Sequence, residues 1–508
     1  MIISLSVLVI TIIVSGTYAL YKTQLSKNIG VNTTTHGLAY YINYVKGTDI
    51  TAATLNPSTS YEGGASSDIE FWKKDDSYDI YGKIELTVNT IGTNLSNSPA
   101  LKYAVVNNGN VLKEGSLKGT TSGSKVTILK NLYLEQTKQI YTVYVWLDNS
   151  EELGNISNES LSISVDCTAS LQKEPTAADT IISLYTSAAK VTATNNSITY
   201  NTAPSVSLMN DRLGGTTTDL DGGNIRYYGA NPNNYIYFNC SDYSNQTSST
   251  CETWRIIGVF DGKLKLIKSE SIGAYSWDNK DTSTGAENDT GKNDWTTARL
   301  MKLLNPSNYY KVDSNDNNLG QSLYYNSASG KCYSGQNNAT VDCDFTSTGI
   351  KNDTTRNMIA ETTWNIGGWS NSSVYPNQIY EYERGTTVYT GRPTTWMGKI
   401  ALAYPSDYGY AVDLNKCKYY RVDEYKDTAC VSNNWMKTIL GVSSNGWLLS
   451  THSGGSYDVS FVHLNGSVSN FYLGAQLVYE VAPVLYLSSE LGIELGDGSS
   501  SNPYKLSI

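Results

Sequence analysis

The stretch YDIYGKIELTVNTI, residues 78–91, carries apolar residues at alternate positions, with polar or charged residues between them. Alternation over this length places one set of side chains on a buried sheet face and the other on a solvated face. Similar short runs recur from residue 35 to 168, and turn sequences such as NNGN and TTSGS separate them. About seven strands with no helical stretch predict a β-sandwich over residues 35–168.

The region from residue 206 to 508 mixes strand and helix patterns, which predicts an α+β domain in a mainly β protein. Two segments with near-helical spacing of apolar residues predict helices, NDWTTARLMKLLN (293–305) and DTTRNMIAETTW (353–364). The strand-like runs include KLKLIK (263–268), IYEYERGTTVYTG (379–391) and YGYAVD (408–413).

Residues 169–205 differ from both neighbouring regions. They contain one amphipathic segment, 177–189, between stretches rich in Thr and Asn. We predict a short helix at 177–189 within a linker that spans 169–205.

The composition excludes some classes of partner. Lys and Arg number 37 against 47 Asp and Glu, which gives a formal net charge of -10, and no basic cluster stands out. Binding to nucleic acid needs a concentrated basic face, so we expect no nucleic-acid partner. Charged residues make up only 17% of the chain, whereas Tyr occurs 40 times, as is typical of β-structure exposed outside a cell.

The N-terminal stretch MIISLSVLVITIIVSGTYA indicates export. Its apolar run from Ile2 to Val14 has the length of a signal-peptide core, and small residues follow up to Ala19. No Lys or Arg precedes Lys22, so the basic start of a signal peptide is missing. Residues 1–20 are therefore expected to be either a signal peptide or a retained single-pass membrane anchor, and both place the remainder outside the cytoplasm.

Six of the seven cysteines form local pairs with polar residues between them. Zinc would require closer spacing or nearby histidines, so disulfides are the favoured interpretation, with free buried thiols and metal ligation as alternatives. The predicted disulfides are Cys240–Cys251, Cys332–Cys343 and Cys417–Cys430. Cys167 is left over, and we expect a buried thiol at the end of a strand or an intermolecular bridge.

The first 150 residues or so resemble a known secreted family. The stretch VSGTYALYKTQLSKNIGVNTTTHGLAYYI (14–42), with its Gly16-Thr17-Tyr18-Ala19 element, is similar to the camelysin/TasA-like proteins of Gram-positive bacteria. The resemblance implies export, association with the cell envelope or matrix, and self-assembly through the sandwich domain. Some members are described as metallopeptidases, but the sequence contains no HExxH pair of zinc ligands.

The second region resembles an uncharacterised domain of Gram-positive surface proteins. The resemblance rests on ETWRIIGVFDGKLKLI (252–267), YERGTTVYTGRPTTWMGKIALAYPSDYGYAVD (382–413), GWLLSTHSGG (446–455) and VAPVLYLSSELGIELGDGSSSNPYKL (481–506). The last of these is also similar to C-type-lectin-like folds of the formylglycine-generating-enzyme type. The family segments usually carry Arg where this chain has Ala482, which argues against a charge-based role for this position. A formylglycine-generating activity would need reactive cysteines late in the chain, and none follows Cys430, so the resemblance implies the fold without the activity.

No catalytic set can be recognised in the sequence. It contains neither a G-x-S-x-G elbow nor a Walker loop, which favours a non-enzymatic protein. The alternative is a cell-surface hydrolase of peptide or glycan that uses a carboxylate pair, with Asp407 and Glu383 as examples. We expect no cofactor, although the oxygen-rich loops around Asp219, Asp221 and Asp289 leave a calcium site open.

Aromatic residues provide the remaining functional signal. Tyr and Trp offer stiff, flat contact surfaces, and Trp stacks on sugars. We predict that Trp364, Trp369, Arg384, Arg392 and Trp396 contact an extracellular ligand, a glycan or a partner surface protein; the competing interpretation is that these rings fill the core. The sequence thus favours a secreted or membrane-anchored surface protein that binds or adheres.

Overall fold

The chain divides into two compact units, and the division falls between Glu174 and Pro175. The structure, a computed structural model, describes residues 23–25, 41–51, 55–151, 153–156, 158–195, 198–212, 222–243, 245–279, 290–310, 320–333, 340–370, 373–417, 421–470 and 474–507. The expected signal or anchor segment, residues 1–20, lies outside the described residues. No helix in the described ranges is long and apolar enough to cross a membrane.

Unit 1 is built from eleven short strands and one short helix, α1 (Thr93–Asn97), in its described part. The strands are β1 (Thr23–Leu25), β2 (Ile42–Val45), β3 (Ile50–Thr51), β4 (Pro57–Ser58), β5 (Ala65–Lys73), β6 (Tyr81–Ile91), β7 (Leu101–Asn107), β8 (Asn110–Ser116), β9 (Lys125–Tyr133), β10 (Ile140–Asp148) and β11 (Leu161–Ser170).

These strands form a β-sandwich, which confirms the prediction for this region. One sheet has the order β1-β11-β6-β9 with β3 beside β11, and the other has the order β2-β5-β10-β7-β8 with β4 beside β10. Alternate residues of β6, namely Ile84, Leu86 and Val88, are fully buried. They join one apolar cluster with Phe71 of β5 and Val143 of β10, so the two sheets pack face to face as alternation requires.

Unit 2 contains twenty strands and six α-helices among its described residues. The helices are α2 (Ala177–Ser187), α3 (Arg299–Leu304), α4 (Asp353–Met358), α5 (Pro376–Glu383), α6 (Pro405–Tyr410) and α7 (Thr428–Val431). The strands are β12 (Val191–Asn195), β13 (Ile198–Ala203), β14 (Leu208–Asn210), β15 (Ile225–Tyr227), β16 (Tyr235–Phe238), β17 (Glu252–Phe260), β18 (Lys263–Lys268), β19 (Ala274–Ser276), β20 (Ser329–Tyr333), β21 (Thr340–Asp344), β22 (Thr362–Asn365), β23 (Thr395–Gly398), β24 (Ile400–Ala401), β25 (Gly446–Thr451), β26 (Val459–Val462), β27 (Val468–Ser469), β28 (Val478–Glu480), β29 (Val484–Tyr486), β30 (Gly492–Leu495) and β31 (Lys505–Ser507).

Two larger sheets organise unit 2. The first has nine strands in the order β12-β13-β14-β15-β17-β18-β29-β24, with β16 beside β17. The second has the order β19-β28-β25-β26-β27. Three two-stranded ladders, β20–β21, β22–β23 and β30–β31, complete the strands, and a single large apolar cluster connects these elements. The architecture confirms the mainly β class with helices, whereas the C-type-lectin-like likeness stays a prediction.

The segment expected to be a linker is structured. Residues 169 and 170 end β11, the helix predicted at 177–189 is present as α2, and β12 and β13 belong to the nine-stranded sheet. Thr176 caps α2, since its side chain accepts from Asp179 N while Asp179 accepts from Thr176 N. β12 and β13 are short, polar strands at the edge of the sheet, so their composition resembles that of a linker. This is why the sequence predicts a linker where the structure has strands.

Four other predictions need correction in unit 2. The segment 353–364 is helical only to Met358 and then enters β22, and 293–305 is helical only over Arg299–Leu304. The run 379–391, predicted as a strand, begins in helix α5, and 408–413 begins in helix α6. Each of these two helices has Pro at its first position, where the missing N–H costs no hydrogen bond.

The cysteine pairing is confirmed. Disulfides join Cys240 to Cys251, Cys332 to Cys343 and Cys417 to Cys430, and all three lie in unit 2. Cys167 is unpaired and buried in β11, as one of the two interpretations expected. Each disulfide closes a loop of about a dozen residues, which stabilises the fold by roughly 2–3 kcal/mol through its effect on the unfolded chain.

Candidate ligand-binding cleft

Unit 2 contains an open cavity of about 70 Å³ with a largely polar wall. Most of this wall comes from three parts of the chain: the turn between β17 and β18, strand β22 and the C-terminal end of α5. Asn224, Tyr404 and Tyr486 complete it. The residues that contribute polar atoms are Asn224, Asp261, Lys263, Thr362, Thr363, Asn365, Tyr380, Arg384 and Tyr404. We call this cavity the cleft.

Helix α5 positions Arg384, one of the two cationic side chains of the cleft; the other is Lys263. Its start is fixed by Pro376, and Tyr375 N donates to Gln378 Oε1 at 3.1 Å. Arg384 follows directly after the helix, and its Nη1 donates to Tyr380 O at 3.3 Å. A cation at this end is favoured by the helix dipole.

The Arg384 guanidinium is stacked and partly exposed. Its carbon lies 3.4 Å from the Tyr380 ring centroid and 5.4 Å from that of Tyr404. One nitrogen lies 3.2 Å from Glu383 Oε2, while a quarter of the Arg384 side chain stays exposed. These contacts fix the orientation of the guanidinium and leave donors that face the cleft.

Glu383 lies beneath Arg384 and is fully buried. Its carboxylate accepts from Ser406 N at 2.9 Å and from Ser406 Oγ at 2.6 Å. Burial, with a smaller contribution from Asp407, raises the pKa of Glu383 to about 7 even though Arg384 and Ser406 oppose this shift. Glu383 therefore titrates near neutrality, although solvent does not reach it.

A second group of charges lies buried beside Glu383. Asp407 occupies the first turn of α6, where its Oδ2 accepts from Tyr404 N at 3.0 Å. Its two oxygens also accept from Arg226 Nη1 at 2.9 Å and from Lys265 Nζ at 2.5 Å. Arg226 Nε in turn donates to Asp211 Oδ2 at 2.5 Å. We call Arg226, Asp211, Lys265 and Asp407 the buried charge network.

The pKa shifts in this network follow from burial and pairing. Burial lowers the pKa of Lys265 to about 8, and Asp407 only partly restores it. Burial alone would raise the pKa of Asp407, but Lys265 and Arg226 outweigh burial and hold this pKa below its usual range. Asp407, Lys265 and Glu383 are at most 2% exposed. No residue of the network lines the wall, so the network lies beneath the cleft.

The three tryptophans predicted to contact a ligand lie in the core. Trp364 packs 5.1 Å from Tyr486, and Trp396 packs 6.0 Å from Trp295. Trp369 is held by its backbone, whose oxygen accepts from Ser453 N at 3.1 Å. All three rings are less than 7% exposed, so the flat surfaces expected for sugar stacking are covered by protein.

The two predicted arginines have different surroundings. Arg384 lines the cleft, whereas Arg392 does not. Arg392 Nε donates to Asn293 Oδ1 at 3.0 Å, and its Nη2 donates to Ser456 O at 3.0 Å, so it connects two loops. The structure thus separates residues that the sequence analysis grouped as one surface.

The calcium candidates Asp219, Asp221 and Asp289 lie outside the described residues. Within the described part of the chain, no cluster of three or more His, Cys, Asp or Glu side chains has an arrangement that could hold a metal ion.

The sequence analysis missed Tyr380 and Tyr404 of the cleft and most of the buried charge network. A signal was available, because Arg226 and Lys265 each stand between apolar or aromatic neighbours in the runs NIRYYG and KLKLIK. A charge inside such a run indicates either a solvated strand face or a buried partner. Only the tertiary structure identifies Asp407, 142 residues from Lys265, as that partner.

Comparison with known proteins gives no family for this chain. No protein-family model matches it, and no curated protein matches it. Among solved structures, it is similar to one described as a crystal structure of an HCR/D mutant, with 13% identity over 51% of this chain and 76% of that chain and a TM-score of 0.14. A score this low carries no argument about fold or function.

Proposed function

We propose that the chain is a surface protein located outside the cytoplasm, without catalytic activity, whose second unit binds a saccharide in the cleft. The observation that carries this proposal is the Arg384 guanidinium, stacked on Tyr380 and partly exposed beside a wall of hydroxyl and amide groups. Stacked arginine and polar side chains that donate in fixed directions suit the hydroxyl and carboxyl groups of sugars.

Three disulfides support the location outside the cytoplasm, because the cytoplasm keeps thiols reduced. The apolar segment of residues 1–20 supports export, either as a signal peptide or as a retained anchor. The resemblance of unit 1 to camelysin/TasA-like proteins, and of unit 2 to surface domains of Gram-positive bacteria, supports association with the cell envelope. Self-assembly through the sandwich belongs to the same proposal.

A hydrolase would need a carboxylate within reach of its substrate. Asp407 and Glu383 are neighbours, as a carboxylate pair requires, but both are buried and neither lines the cleft. Asp407 is also occupied by two cations. Asp261 is the one carboxylate of the wall, whereas hydrolysis of this type uses a pair, so the arrangement favours binding over catalysis.

The test is a binding screen of the full chain against a glycan array and purified Gram-positive cell walls. Arg384→Gln removes the stacked one of the two charged donors in the wall. A charge-assisted hydrogen bond contributes about 1.5–3 kcal/mol, so we expect at least a tenfold loss of affinity. Tyr380→Ala removes the stacking surface and should weaken binding by a similar factor.

Arg392→Gln is the matched control, because Arg392 also stacks on a tyrosine, Tyr389 at 5.1 Å, but lies outside the cleft wall. It should bind within about twofold of the wild type. Equal weakening by both arginine variants, or no binding of any saccharide by the folded wild type, contradicts the proposal. Release of shortened glycans during the incubation would instead support a hydrolase.

A further inference from the structure

One of the two 2.5 Å contacts in the buried charge network joins an amine to a carboxylate. Lys265 Nζ lies 2.5 Å from Asp407 Oδ2, and the two side chains are 0% and 1% exposed. Lys265 belongs to β18 of the nine-stranded sheet and Asp407 to the first turn of α6. Two reactive groups held in contact by the fold meet without the entropic cost of a collision.

The surroundings of Lys265 make its neutral, nucleophilic form easier to reach than it is for an exposed lysine. Four aromatic rings surround Nζ: Tyr404 at 4.2 Å, Phe260 at 5.2 Å, Tyr486 at 5.4 Å and Trp364 at 5.6 Å. Burial among these rings lowers the pKa of Lys265 to about 8. Lys265 and Arg226 hold the pKa of Asp407 below its usual range, so the neutral acid forms only when Nζ passes a proton to Oδ2 within the pair.

The carboxyl group of Asp407 is arranged as an electrophile. Arg226 Nη1 lies 2.9 Å from Oδ1, where negative charge develops when a nucleophile adds to the carboxyl carbon. The other oxygen, Oδ2, contacts both Lys265 Nζ and the backbone N–H of Tyr404. One oxygen is thus stabilised as an oxyanion while the other is placed to receive protons from the attacking amine.

We propose that Lys265 and Asp407 form an intramolecular isopeptide bond after folding. A proton passes from Nζ to Oδ2, and the Nζ lone pair then attacks the carboxyl carbon Cγ of Asp407. Arg226 stabilises the resulting oxyanion on Oδ1. A second proton moves from Nζ to Oδ2, the Cγ–Oδ2 bond breaks, and one water leaves, so that the ammonium and carboxylate become an amide and water without oxidant or reductant.

Other lysine–carboxylate pairs lack these conditions. Lys268, on the same strand, contacts Glu252, but the two side chains are 11% and 14% exposed. Lys102 lies 2.6 Å from Asp148 with 26% of its side chain exposed. Water solvates these amines as cations, and within the described part of the chain no arginine pairs with Glu252 or Asp148. They serve as internal references for ordinary ion pairs.

The experiment is a peptide map of the full, exported chain after reduction of its disulfides, read by tandem mass spectrometry. We expect a branched peptide that joins the segments around Lys265 and Asp407, lighter by one water than the sum of its two parts. The amide also removes the trypsin site after Lys265. Lys265→Arg keeps a cation but cannot form the product, so its map should contain the two unbranched peptides.

Lys268→Arg is the control and should retain the branched peptide in full. Recovery of the two segments as separate, unmodified peptides from folded wild type overturns the proposal, and so does a water loss located at another residue. The wild-type map decides the matter even if Lys265→Arg fails to fold. The result is independent of the saccharide screen, because the bond lies beneath the cleft and not in it.

Discussion

The two units keep their charged residues in different places. In unit 1, pairs such as Lys138 with Glu70 and Lys102 with Asp148 lie on partly exposed sheet faces around an apolar core. In unit 2, Arg226 and Asp407 are enclosed within the core, and all three disulfides occur in the same unit. In unit 1 these charged residues lie on the solvent side of the strands, as the alternation predicts. In unit 2 some charged residues lie in the core instead.

The difference indicates where function is to be sought. Buried charges cost free energy unless they are paired. We therefore look for function where a buried charge positions a side chain of a binding site. In unit 2 the buried carboxylate of Glu383 supports Arg384, one of the two partly exposed cations of the cleft. The sandwich of unit 1 has no comparable buried charge network among its described residues.

The largest expected effect comes from breaking the buried charge network. Arg226→Met leaves the buried carboxylate of Asp211 without its cation and should lower the free energy of unfolding of unit 2 by about 3–5 kcal/mol. Hydrogen exchange of peptides from each unit in rising urea measures this separately. The surface control, Lys138→Met in unit 1, should cost at most about 1 kcal/mol. Similar costs for the two variants would contradict the comparison.

The apolar core of unit 1 provides the converse test. Leu86 is fully buried between the sheets, and Leu86→Ala should lower the stability of unit 1 by about 2–5 kcal/mol through lost contacts and a cavity. The same exchange measurement should show unit 2 unchanged. A matching loss in unit 2 would mean that the two units do not unfold independently.

Glu383 should make the stability of unit 2 depend on pH. Its pKa rises from the ordinary 4.5 to about 7 in the folded chain, so the folded state favours the neutral acid. The associated stability is fully present below about pH 4.5 and is lost as pH rises to about 7, a change of about 3 kcal/mol.

Unfolding of wild type and Glu383→Gln at a series of pH values measures this term. The variant stays neutral and should lack the loss between pH 4.5 and 7, while unit 1 provides the internal baseline. An identical pH profile for the two proteins would show that Glu383 is not held in a neutral state.

The smallest effect is expected from one disulfide. Replacing Cys417 and Cys430 by Ala should lower the stability of unit 2 by about 2–3 kcal/mol, because the closed loop is short. Unit 1, whose one cysteine is unpaired, should not respond to this change or to a reducing agent. A response of unit 1 to reduction would contradict the confinement of disulfides to unit 2.

The sequence predicts those structural features that depend on residues close to one another in the chain. Alternation in 78–91 predicted the buried face of β6, and short spacing predicted the pairing of Cys240 with Cys251 and of the other two pairs. The run 379–391 was read as a strand because its Ile, Val and Tyr residues favour strands, although Pro376 marks the start of a helix.

The site was less accessible to sequence reasoning because its contacts are non-local. In KLKLIK, the alternation places Lys263 and Lys265 on one face, which normally indicates solvent. Lys265 is nevertheless fully buried, because packing covers this face and Asp407 compensates its charge from a distant segment. Arg384 was named from the sequence, but its separation from Arg392 required the structure.

The most direct test of the account is hydrogen exchange of the full chain with and without solubilised cell-wall saccharide. We expect protection at 260–263, 362–365 and 376–384, the segments that surround Arg384, and no change in β7 and β10 of unit 1. Arg384→Gln should lose this protection, and Arg392→Gln should keep it. Protection confined to unit 1, or present equally in the Arg384→Gln variant, would contradict the claim that the cleft of unit 2 is the binding site.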